Sequence, residues 1–131
     1  MSARLSLLVA AVLGATAVAL GAFGAHALSG RLSGEALGWY GTAADYHVRH
    51  ALALFGCGLL GTVHPSGRAL SVAGLALAAG TVVFAGSLYL MALTGARWLG
   101  AVTPIGGALL IVGWVALAVA AAGIPTAARR D

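Results

Sequence analysis

The sequence predicts an all-α protein: a four-helix transmembrane bundle, up-down and antiparallel, with an amphipathic interfacial segment before the second helix. Three observations predict it. The 131-residue chain is 61% hydrophobic and only 8% charged, with mean hydropathy +1.02, whereas a soluble domain carries about a quarter charged residues. Its apolar residues fall into runs, most of them near the length of about 20 that crosses a hydrocarbon core. Turn and charge signals separate the runs: Ser29-Gly30-Arg31, His64-Pro65-Ser66-Gly67-Arg68, Thr94-Gly95-Ala96-Arg97 and Gly123-Ile124-Pro125. At this length the chain is one integral membrane domain, 1–131, with helices expected at about 5–25, 34–62, 69–93 and 104–122.

The first run, Leu5 to Ala25, follows Arg4 and ends in Ala25-His26-Ala27, a small-x-small pattern that also fits a signal-peptide cleavage site. The run is long for a signal sequence, so the helix is expected to be retained. The second helix is fully apolar only from Ala51 to Thr62 and has a polar approach from Gly34. At its start Leu28, Leu32, Ala36 and Trp39/Tyr40 share one helical face, and Arg31 and Glu35 form an i,i+4 pair on another. Its 29 residues span roughly 43 Å, longer than a hydrocarbon core of about 30 Å, so the excess should project into headgroups or water. The third run extends from Ala69 to Leu93. For the fourth, Thr103-Pro104 reads as an N-cap with proline at the first helical position, and Leu99 to Val102 is expected to form a membrane-dipping loop, the alternative being a kinked extension of the helix. Small residues four apart (Ala17, Gly21, Ala25; Ala53, Cys57, Gly61; Ala76, Gly80) are expected at helix–helix contacts, because close backbone approach supplies the packing that lipid does not.

All seven basic residues are arginines, scattered singly along the chain until Arg129-Arg130. That excludes the basic patch a nucleic-acid binder needs. With the amino terminus inside, Arg4, Arg68, Arg129 and Arg130 share the inner side against Arg31 and Arg97, so both termini are expected in the cytoplasm. The lone Cys57 cannot form an intrachain disulfide and reads as a small core residue. Only three acidic residues exist, and there is no GxSxG, P-loop, HExxH or CxxCH, so no enzymatic activity and no cofactor are expected.

The densest polar stretch runs from Tyr40 to His50. On a helix Asp45 and Arg49 are i,i+4, as are Tyr46 and His50. Ionisable groups at membrane depth are costly and mark functional sites by default. His26, Asp45, Tyr46, Arg49 and His50, with Tyr89 rising from the third helix, are therefore expected to form one polar site under the outer headgroups. The plain alternative is an interfacial ion pair and an aromatic belt. Haem or metal ligation by His26 and His50 is a third reading, which no completing carboxylate supports.

Several strings occur in a particular order: Gly21-Ala22-Phe23-Gly24-Ala25-His26; Trp39 with Thr42-Ala43 and Tyr46; His50-Ala51-Leu52-Ala53-Leu54; Gly86-Ser87-Leu88-Tyr89 with Leu93-Thr94-Gly95; Leu99 through Gly107; and Gly113-Trp114. In this order they resemble the domain-of-unknown-function 423 family, whose eukaryotic relatives are called transmembrane protein 256. The resemblance covers Leu13 to Trp114. It implies a four-helix inner-membrane protein with an uncleaved first helix, and it brings no biochemical activity and no assigned residues. It also implies glutamine or another polar residue where this chain has His47, which leaves His26 and His50 ahead of His47 as candidates. The expected function is that of a small structural or accessory membrane protein that associates with itself or with a larger membrane complex, and whose constant partner is the lipid bilayer. Transport, or small-ligand or lipid binding at the outer polar site, is the alternative.

Overall fold

The computed structural model describes residues 1–64 and 67–125. Four helices run alternately up and down: α1 Ala3–Phe23, α2 Gly34–Val63, α3 Arg68–Thr94 and α4 Thr103–Ala122. A π-helical turn, Gly24–Leu28, extends α1, and a 3₁₀ turn, Arg97–Ala101, precedes α4. The end of the bundle that carries these two turns and the 29–33 connection is called the upper end below.

Local chemistry sets the boundaries. Ser2 Oγ accepts from the Leu5 amide and Ser33 Oγ from the Ala36 amide, so each satisfies an amide that a helix start leaves free. α3 ends at Gly95, whose φ of 72° is left-handed and whose N–H returns to the Met91 carbonyl at 2.9 Å. Gly30 is left-handed as well, φ 83°, and breaks the helix before Arg31. Arg31 therefore does not pair with Glu35 along a helix. Glu35 instead accepts a 2.6 Å ion pair from Arg97, whose guanidinium also lies 5.5 Å from the centre of the Trp39 ring. At α4, Thr103 is the first helical residue rather than the cap. Its hydroxyl meets Ser87 Oγ at 2.8 Å and donates to the Leu99 carbonyl, and Leu99–Val102 continues as helical turn where a loop was expected.

The helices pack in chain order: α1 on α2, α2 on α3, α3 on α4, with α1 barely reaching α3. Buried positions repeat at alternating three- and four-residue steps: Ser6, Ala10, Leu13, Ala17 on α1; Tyr40, Ala43, His47, His50, Leu54, Cys57 on α2; Gly106, Leu110, Gly113 on α4. That spacing is the seam of left-handed helix packing. Between α3 and α4 each large residue sits on a glycine: Leu77 on Gly113, Leu110 on Gly80, Phe84 on Gly106. The small-residue ladders take part unevenly. Ala17, Cys57, Ala76 and Gly80 are packed, but a Cβ added at Gly21 would meet nothing within 4 Å and Ala25 is exposed, because α1 turns only one flank to α2.

The outward surface is apolar on every helix, with Val12, Leu52, Val82 and Ile111 all more than 60% exposed. Such a surface is stable only in lipid. By length and composition Ala3–Leu28, Arg68–Thr94 and Arg97–Ala122 qualify as membrane spans. α2 is not among them: its apolar run, Ala51 to Thr62, is short, and the polar stretch with Asp45, His47, Arg49 and His50 precedes it. The protein is a four-helix transmembrane bundle in which one helix is amphipathic.

Candidate functional site

α2 carries the polar side chains to two different faces. Its 3-4 stripe buries both His47 and His50, at 6% and 8% exposure. One helical step of three residues rotates the direction by about 60°, so the two imidazoles serve different neighbours.

His50 faces α3 and α4. Its Nδ1 lies 2.7 Å from the Tyr46 carbonyl oxygen, which can only accept, so Nδ1 carries the hydrogen. The imidazole stacks on the Tyr46 ring at 5.4 Å and meets Trp114 edge-on at 6.2 Å, and Tyr46 in turn stacks on Phe84 at 4.3 Å. These rings line a groove of about 480 Å³ between α2 and α4, with α3 as its floor; Arg49 stands at its rim and Leu110 on its α4 wall. Among the described residues, His50 Nε2 has no hydrogen-bond partner.

His47 faces α1 and α3. Thr16 Oγ1 lies 2.9 and 3.0 Å from the Val12 and Leu13 carbonyls and 3.3 Å from His47 Nε2, and its single hydrogen serves one of these three acceptors at a time. On the other side of the ring, His47 Nδ1 meets the Tyr89 hydroxyl at 3.5 Å, so one ring nitrogen donates to one hydroxyl and the other accepts from the second. Tyr89 meets the Tyr40 ring edge-on at 4.8 Å, and the Tyr40 hydroxyl donates to the Leu20 carbonyl at 2.7 Å. This network ties three helices together around a cavity of about 200 Å³.

The six residues expected in one site are thus divided. Tyr46, Arg49 and His50 share the α2–α4 groove. Asp45 pairs with Arg49 at 3.2 Å as its spacing required, but both side chains are about two-thirds exposed. Tyr89 belongs to the His47 network. His26 belongs to neither. It is exposed on the π turn, just beyond Gly24, which packs against Tyr40. His50 lies ten residues further along α2 than Tyr40, about 15 Å down the helix, so His26 and His50 cannot ligate one metal or haem iron. Among the described residues no three His, Cys, Asp or Glu groups lie together as a metal site. Sequence reasoning misses His47, which the family resemblance ranks behind His26 and His50. The alternating spacing from Tyr40 to Cys57 was the signal that could have placed it in the core.

The family described as "Protein of unknown function (DUF423)" matches residues 20–107. The chain is 39% identical over 125 residues to the UPF0382 inner membrane protein YgdD of Escherichia coli K12, covering 92% of each chain. It is 38% identical over 105 residues to the UPF0382 membrane protein YwdK of Bacillus subtilis, covering 80% of this chain and 85% of the relative. No solved structure matches.

Proposed function

This chain belongs to the DUF423 family, and on that premise we propose that it is a non-enzymatic accessory protein of the inner membrane whose α2–α4 groove holds a membrane-dissolved ligand. The observation that carries this reading is the groove itself. It has the volume of a small-molecule site, which is about 300–1,000 Å³, and it is walled by Tyr46, Phe84 and Trp114 and opens on the apolar surface beside Ile111. It contains one buried polar group, His50, with a nitrogen that the protein does not satisfy. Buried polar atoms are paired as a rule, and a bound ligand would supply the partner. The bundle crosses the membrane four times with both termini cytoplasmic. The support is arginine placement: Arg4 and Arg68 at the lower end against Arg31 and Arg97 at the upper, with Arg129 and Arg130 outside the described residues.

The test is to extract and identify lipophilic molecules that co-purify in mild detergent. The comparison is with Gly107→Leu, which places a side chain into the groove beside Phe84. Wild type should carry a stoichiometric molecule that the variant lacks. Equal recovery from both, or an empty wild type, would end this reading.

Self-association is a second reading, favoured by Gly14 and Gly21. They lie seven residues apart on one face of α1, and a Cβ added at either would meet nothing within 4 Å. Glycines so spaced permit close approach of a second copy or of another membrane protein. Gly14→Leu should then convert a cross-linkable dimer to monomer, and an unchanged cross-linking pattern would count against it.

A further inference from the structure

The hydrogen-bond chemistry of His50 narrows what the groove can take. Its Nδ1–H is committed to the Tyr46 carbonyl at 2.7 Å. In the neutral ring Nε2 therefore presents a lone pair, and a lone pair needs a donor. The imidazole is 92% removed from solvent, being 8% exposed, and it lines the groove. No described side chain donates to it. A ligand head that offers only carbonyl or ether oxygens would leave Nε2 unpaired beside another acceptor, whereas a hydroxyl would satisfy it.

The walls narrow it further. Tyr46 and Phe84 stack nearly parallel, 27° apart with centroids at 4.3 Å, and the Trp114 indole stands across the groove from them next to His50. Gly107 adds no side chain to the α4 wall, so a flat group can lie against backbone there. Aromatic walls pair best with another ring in stacked or edge-on contact. The open side passes Ile111 and Trp114, 66% and 49% exposed on the apolar surface, which gives a hydrocarbon tail a direct route into the bilayer. At the rim Arg49 gives one guanidinium nitrogen to Asp45 and keeps other donors for an acceptor at the far edge of the ring.

We propose that the groove binds a tailed phenolic ring, of the benzoquinol class, with a ring hydroxyl donating to His50 Nε2. This rests on the groove reading above and assigns its ligand class. Binding alone is proposed, with no transfer of electrons or protons.

The experiment measures binding by native mass spectrometry in detergent with three probes: a decyl-tailed benzoquinol, its di-O-methyl ether and the corresponding benzoquinone. All share ring and tail, and only the first donates a hydrogen bond. Wild type should bind the quinol about tenfold more tightly than either of the others, the size of one good hydrogen bond in a membrane protein. His50→Phe, which keeps a ring in place, should bind all three alike. Folding of the variant is read from Cys57, 1% exposed, whose thiol should react with a maleimide dye only on unfolding. Should His50→Phe fail to fold, the three probes on wild type still decide. Equal binding of quinol and ether by wild type, or a preference that survives in folded His50→Phe, overturns the ligand class. The groove reading then stands if a different molecule co-purifies with wild type and not with Gly107→Leu. No probe bound and no co-purifying molecule would overturn both.

Discussion

Adding one methyl group at Gly80 tests how closely α3 is packed on α4. A Cβ there would sit 2.8–2.9 Å from Leu110 Cδ2, Cγ and backbone nitrogen. The side-chain atoms could rotate away, but the backbone nitrogen cannot move without displacing α4. Overpacking of this kind costs about 1–3 kcal/mol. Alanine also gains about 1 kcal/mol over glycine within a helix, so the raw effect understates the clash. At Gly86, on the same helix, an added methyl group would meet nothing within 4 Å, so replacement by alanine carries the propensity gain alone. The difference between Gly80→Ala and Gly86→Ala then isolates the packing cost. It should be about 1–3 kcal/mol, or roughly 5- to 150-fold in the folded-to-unfolded ratio. The assay is reversible unfolding in mixed micelles, followed by Cys57 reactivity. Two variants of equal stability would refute the interlocked interface.

Tyr40→Phe removes the hydroxyl that bonds the Leu20 carbonyl while keeping the ring against Gly24; it should cost about 0.6–1.7 kcal/mol in the same assay. Glu35→Gln breaks the bridge to Arg97, whose side chains are 53% and 72% exposed, so screening should hold the loss to at most about 1 kcal/mol, and it should vanish at high salt. Cysteine introduced at exposed Ser29 should label from outside intact cells, whereas cysteine at Ser2 should not; the opposite pattern would invert the proposed orientation.

The four helices were legible because hydropathy registers length directly, and polar or turn-forming residues stand at each break. Their faces were much less legible. In a water-soluble helix the contrast between polar and apolar sides marks the buried stripe. Here lipid and core are both apolar, and only residue size and spacing distinguish Leu13, which is packed, from Leu8, which is 55% exposed. The polar segment of α2 could be recognised as unusual, and Asp45–Arg49 follows from helical spacing alone. The separation of His50 from Tyr89 does not. It depends on which way α2 is rotated between its neighbours, and that is set by contacts such as Gly58 on Leu7, which no local pattern reveals. The Glu35–Arg97 bridge was hidden for another reason. Its partners are 62 residues apart and meet only because both upper connections end at the same level.

The exposed Asp45–Arg49 pair also bears on how the molecule rides in the bilayer. Counting about 20 residues of α2 upward from Thr62 places the upper hydrocarbon boundary near Thr42, so Asp45 hangs roughly one turn and Arg49 roughly two turns below it. Two charges there draw headgroups and water towards them, and they do so on one flank only, since α1 and α4 carry no charged residue at that height. The surrounding leaflet should dip beside α2 and stay level elsewhere. A protein with such a one-sided dip is accommodated at least cost in a thin bilayer, and lengthening the acyl chains of reconstituted vesicles should tilt it towards that flank.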